Sequence, residues 1–302
     1  MIFGQLMAAA VLIASGQAAP QTPAQTPDTS RLEDVVVQGE RLADRVETFV
    51  DDINAPPVHR GPARWRREVC VGVANLRPDA AQIVVDRVSA VAVRAGLEAG
   101  EPGCSPNVLI VAAEDGDAMA RGLVERSPIA FRPVYSGGAR SSEQLEAFLT
   151  APAPVRWWHV SVPVGRETGE IAVRIPGYGA PKIRGVNSRI QTATRNDLLR
   201  AFIIVDLDEA AGASFQQLGD YIGMVAMAQI DADAETGAYD TVLNLFEPGH
   251  VVDGVTDWDM SYLSALYGAE LNRRLASDQA GEIASTMFRD QRRQQNETPS
   301  EP

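Results

Sequence analysis

The sequence predicts an α+β fold: a mixed sheet of about four to five strands, a buried central helix and a C-terminal helix. Three observations carry this expectation. Residues 68–113 read as strand, helix, strand, an order that favours a parallel pair joined by a crossover helix. Residues 202–231 (FIIVDLDEAAGASFQQLGDYIGMVAMAQID) read as a buried strand, a turn and a nearly all-apolar helix. Residues 256–266 (TDWDMSYLSAL) read as a helix with Thr256 as N-cap and Asp257 and Asp259 in the first turn, where the helix dipole favours them.

The composition bounds the function. The 302 residues carry a formal charge of −13, and 45% of them are hydrophobic, enough for a substantial core. A chain this acidic repels nucleic acid and anionic lipid, so neither is an expected partner. Lys182 is the single lysine, and every other basic side chain is arginine.

Residues 1–18 have the apolar run and small residues (Gly16-Gln17-Ala18) of an export signal, although no Lys or Arg precedes the run. An uncleaved N-terminal anchor is the alternative. With the signal removed no membrane span is expected, and the product is periplasmic or secreted. Residues 19–31, rich in Pro, Thr and Gln, are expected to be a disordered linker. Residues 32–67 form a lead-in, 68–289 a single domain and 290–302 a polar, disordered tail. Cys70 and Cys104 are the only cysteines, and in an exported chain they are expected to form one disulfide. Within the lead-in, Val35-Val36-Val37 followed by Gln38-Gly39-Glu40-Arg41 resembles the box that outer-membrane receptors present to the energy-transducing protein TonB. A short edge strand is the plainer reading.

The remaining elements follow in order. Leu42, Val46, Phe49 and Val50 have helical spacing, ended by Ala55-Pro56-Pro57. Glu68–Leu76 alternates as a strand, Asp79–Leu97 is an amphipathic helix, and Asn107–Ala113 is an apolar strand buried on both faces. Asp115–Arg126 and residues 141–149 read as helices, and Val155–Val164 (VRWWHVSVPV) as a strand. Residues 165–184 read as a long Gly/Pro loop and 185–192 as an exposed edge strand. Arg200–Leu207 is a buried strand. Ser214 and Gln217 then form a capping box for the central helix. Helical propensity resumes after Gly268, to about Arg289.

This order of elements resembles a zincin peptidase scaffold. Its most specific match is Gly254–Gly268 (GVTDWDMSYLSALYG), which is similar to the last helix of matrixin-type peptidases. A closer resemblance is to uncharacterised bacterial secreted proteins that share the scaffold with altered active-site residues. The resemblance implies a zinc-binding helix at 214–230, where a metallopeptidase carries two His at i and i+4 with a Glu between them as base. The best register places Asp220 and Met224 at the two His and Tyr221 at the Glu, while Ile230 stands at the third ligand of the longer motif. Thioethers and aliphatics do not hold catalytic zinc. The three histidines, His59, His159 and His250, have no ligand spacing. No metal and no cofactor is therefore expected. Residues 231–235 (DADAE) alternate acidic side chains as a calcium loop does but lack its Gly and closing Glu, so a solvated acidic turn is expected.

The expected function is that of an exported, non-catalytic binding or structural protein, holding a peptide or protein segment beside the edge strand near Asn187 to Ile190. The alternatives are a hydrolase built from Asp220, Tyr221 and His159, and an accessory of TonB-dependent uptake resting on Val35 to Arg41. Asp220, Tyr221, Met224 and His159 are the candidate residual cleft.

Overall fold

Four strands form one mixed sheet: β1 (Val71–Ala74), β2 (Val108–Ala113), β3 (Val155–Gly165) and β4 (Thr194–Asp206). The order across the sheet is β1-β2-β4-β3; β1, β2 and β4 run parallel, and β3 pairs antiparallel with β4. The structure, a computed structural model, describes residues 30–57, 60–132, 142–173, 177, 183–185 and 189–297, with side chains from 41 onward. The proposed signal and most of the linker lie outside the described residues, as do His59, Asn187 and the last five residues. The chain divides into Met1–Gln38 and Gly39–Pro302, and of the first unit only the helical backbone from Ser30 is described.

Eight α-helices and one 3-10 helix are found among the described residues: α1 (Ser30–Ile53), α2 (Pro78–Arg94), α3 (Gly116–Arg126), α4 (Pro128–Phe131), α5 (Ser142–Thr150), α6 (Phe215–Met227), the 3-10 turn Val242–Phe246, α7 (Asp257–Gly268) and α8 (Ala276–Glu297). The fold is α+β, and strand alternation explains its layering. One face of β4, with Ala201, Ile203 and Val205, joins Val155 and Trp157 of β3 in a core with α1, α2, α6, α7 and α8. The other face, with Phe202 and Ile204, joins Trp158 and Val160 in a smaller core with α3, α4 and α5. A bulge between Val160 and Ser161 breaks the pairing of β3 with β4.

α6 lies closest to α2, and two glycines one turn apart permit the approach. A Cβ at Gly219 would stand 2.7 Å from Cβ of Arg87; one at Gly223 would stand 2.7 Å from Cγ2 and 2.9 Å from Cβ of Val91. Gly→Ala inside a helix ordinarily stabilises by about 0.5–1 kcal/mol. At Gly223 the stiff β-branched Val91 forces the helices apart, an overpacking cost of about 1–3 kcal/mol. Gly223→Ala is therefore expected to lower stability by about 1–2 kcal/mol. A urea midpoint above that of the wild type would refute this packing account.

Several expectations need correction. Residues 32–42, read as an edge strand or lead-in, lie within the helix α1. Leu42, Val46, Phe49, Val50 and Ile53 bury one helical face, and extending a formed helix costs far less than starting one, so three valines do not stop it. Residues 185–192 form no strand among those described: Ile190 is exposed in a bend, and Gln191 makes one isolated bridge to Arg273. The strand instead begins at Thr194 and pairs along β3 through Asp197 and Leu198, so β3 is the edge on this side of the sheet. The polar run Thr194–Asp197 hid it from periodicity, because its partner strand supplies the order its composition lacks. Near Pro163 that edge is itself covered, since Val164 bridges Ile171 and Ala172 donates to Pro163. Residues 290–297, read as tail, continue α8, where buried Gln291 donates from Nε2 to Ser261 Oγ at 2.8 Å.

Cys70 and Cys104 are joined in a disulfide with their Cα atoms 6.0 Å apart. β1 and β2 lie side by side, which brings the two together ahead of the paired stretches.

Candidate functional site

The carboxyl end of β4 is organised by Asp206. Its Oδ2 accepts from Gly116 N at 2.9 Å, and its Oδ1 accepts from Asp208 N and Glu209 N at 3.1 Å each. Burial alone would raise its pKa. The N–H groups of Gly116, Glu209 and Asp208 and the nearby Arg156 outweigh burial, so the carboxyl is held below its ordinary value of 3.8. A depressed carboxyl adds stability above the unfolded pKa and loses it as pH falls through the folded value. Asp206→Asn should therefore be less stable than the wild type by about 2 kcal/mol at pH 7, with the gap closing below about pH 4. Urea melts of both proteins across that range check it; a gap that widens in acid would sink the assignment.

Ser214 then starts α6 with its side chain accepting from Gln217 N, and the Gln217 side chain answers the Ser214 N–H at 3.0 Å. Every residue from Leu218 to Met227 is buried. Asp220 is 2% exposed and faces α2. Its Oδ1 accepts from Arg87 Nε at 2.8 Å, its Oδ2 pairs with Arg87 Nη2, and Val255 N donates to Oδ2 at 3.2 Å. A Cβ at Gly254 would strike that same oxygen, so no room is left there for a ligand. Tyr221 points elsewhere, its ring 6.2 Å from Trp157 and 5.2 Å from Phe246, and burial pushes its hydroxyl well above the ordinary tyrosine range, helped by Glu247. Met224 is fully buried in the larger core. His159, 3% exposed, pairs with Ala201 two residues along β3 from Trp157. Asp220 and Tyr221 point to different neighbours: Tyr221 meets the sheet through Trp157, Asp220 is committed to Arg87, and Met224 fills space.

α7 carries a second buried carboxylate. Asp259, fully buried, accepts from Val242 N at 2.8 Å and Thr256 N at 3.0 Å, and from the hydroxyls of Thr241 and Thr256. Burial raises its pKa against the pull of those donors. At the other end of α7, Arg64 Nη1 donates to the carbonyls of Leu266 and Tyr267 at 2.7 and 2.8 Å, capping the C-terminus.

A separate concavity lies at the amino ends of β1 and β2. Here β2 gives way to Arg64 as neighbour of β4: Arg64 N donates to Asn196 O, and Leu198 N donates to Arg64 O. The cavity, about 920 Å³, is walled by residues 65–68, Cys70, 105–107, 195 and 197–200 with parts of β3. Its charged wall is Arg66, Arg67, Arg195 and Arg200 against Glu68, Glu98 and Asp197. Sequence reading missed it, although a signal was present: RGPARWRR (residues 60–67) is a dense basic run in an acidic chain.

Among the described residues no group of three or more His, Cys, Asp or Glu is placed to hold a metal ion, and no helix is long and apolar enough to cross a membrane. Comparison with protein-family models, with curated proteins and with solved structures gives no match to this chain.

Proposed function

We propose that the chain is an exported binding protein without catalytic activity of its own, built on a scaffold whose order of elements is that of a zincin peptidase. The observation that carries this reading is the commitment of the helix α6. The position of a first ligand, Asp220, is held by Arg87; the position of a base, Tyr221, is packed between Trp157 and Phe246; and Met224 is core. A hydrolase assembled from Asp220, Tyr221 and His159 has little support, since Asp220 and Tyr221 point to different neighbours. The TonB reading is weakened because Val35 to Arg41 is helical, and it loses the extended form such a box needs to add to a sheet. Export is supported by the apolar N-terminal run and by the disulfide. The test is incubation of the purified chain with a broad peptide mixture and added zinc, read by mass spectrometry. No cleavage above buffer is expected. Cleavage that a chelator or Tyr221→Phe abolishes would overturn the reading.

A further inference from the structure

We propose that the cavity at the amino ends of β1 and β2 binds the oxyanion group of a small molecule, a phosphate or a carboxylate, through the guanidinium groups of Arg66, Arg67 and Arg200 in the field of Arg195 and Arg166. The proposal goes beyond the reading above and is tested apart from it: peptide cleavage would end that reading without touching this one.

Three observations support it. The first is an excess of cation. Of the three carboxylates in the wall, Asp197 is taken by Arg195, which donates to it from Nε at 2.9 Å and from Nη2 at 3.2 Å. Arg66 reaches the same carboxylate only at 3.9 Å, beyond hydrogen-bond distance, and its side chain is 40% exposed. Its donors remain available to a ligand. The second is Arg166, the residue after β3, whose backbone carbonyl accepts from Arg195 Nη1. Its Nε and Nη2 are buried and make no hydrogen bond to any described residue. Arg166 does not itself line the cavity, and it bears on the site through its charge, which acts on Arg66. The third is the mutual effect of these cations. Burial first, and then the charges of Arg195 and Arg166, lower the pKa of Arg66 despite Asp197, so like charges are held together here at a cost that an anion would offset. In a chain of net charge −13 this clustering is a local reversal of sign. A cavity of about 920 Å³ suits a small molecule rather than a macromolecule. The planar guanidinium fork matches carboxylate and phosphate oxygens alike.

Isothermal titration calorimetry of the full chain with sodium phosphate and, separately, with sodium succinate at constant ionic strength tests the proposal. Saturable binding of at least one is expected, and the one that binds identifies the oxyanion. Arg66→Gln combined with Arg200→Gln is expected to weaken that binding by at least about tenfold. Arg77→Gln, which removes one exposed charge at the start of α2, should leave it unchanged. Because neither the Arg66 nor the Arg200 side chain donates a hydrogen bond within the described protein, the double variant should keep the wild-type circular dichroism and melting temperature. Arg166→Met should likewise lose affinity with no loss of ligand-free stability. Failure of both anions to bind, or binding that the double variant and Arg77→Gln change equally, would overturn the proposal.

Discussion

Arg87→Ala is expected to cost about 3 kcal/mol of stability, and more than Asp220→Ala, although the two residues share one ion pair. The asymmetry follows from where each end lies. Asp220 is 2% exposed, whereas the Arg87 side chain is 43% exposed. Removing the arginine strands a carboxylate in the core with Val255 N as its remaining donor, and an uncompensated buried charge is the expensive outcome. Removing the aspartate releases a guanidinium that already reaches water, so Asp220→Ala should cost about 2 kcal/mol, largely the Val255 N–H left without an acceptor. Because half of the pair sees solvent, both figures sit at or below the low end of the range for fully buried pairs. Urea unfolding of the two single variants and the double variant gives the coupling directly. An Asp220→Ala loss larger than that of Arg87→Ala would contradict this account. The pair also bears on function, because it holds the one charge of α6 in a structural role.

Asp259→Ala should be the most damaging single substitution on α7, by about 4 kcal/mol, which for a domain of this size is a fall of roughly 10 °C in melting temperature. The carboxylate links three pieces of chain: the turn at Thr241–Val242, the cap at Thr256 and the helix itself. Truncation removes the capping box and leaves the N–H groups of Val242 and Thr256 without acceptors. Asp259→Asn keeps the shape but turns an amide NH2 toward those donors, so an intermediate loss of about 2–3 kcal/mol is expected. A carboxyl raised on folding contributes stability that is fully present below the unfolded value of 3.8 and declines as pH rises through the folded value. The difference between wild type and Asp259→Ala should therefore be greater in acid than at pH 7, the reverse of the trend expected for Asp206→Asn. Thermal melts across pH 3–7 separate the two residues; parallel trends would contradict the opposite shifts.

The disulfide adds a further constraint, closing a loop with a sequence separation of 34 residues, worth about 3–4 kcal/mol in the chain-entropy account.

What the sequence determined by itself was whatever rests on local pattern. The run of apolar residues in Leu218–Met227 requires a buried helix wherever it lies. Ser214 with Gln217, and Thr256 with Asp259, mark helix starts because their side chains answer backbone N–H groups three residues away. The order strand, helix, strand around Cys70 and Cys104 implied neighbouring strands, and the disulfide follows from that adjacency. Only the tertiary structure decided the rest, because it depends on residues far apart in the chain. Thr194–Asp197 becomes strand through its pairing with β3, not through its own propensity. Asp220 became a structural charge when α2, 133 residues earlier, placed Arg87 against it. The arginines at 66, 67, 195 and 200 are unremarkable apart. They share one concave surface because Arg64 takes the place beside β4 that β2 leaves open, which brings residues 65–68 against 195 and 197–200.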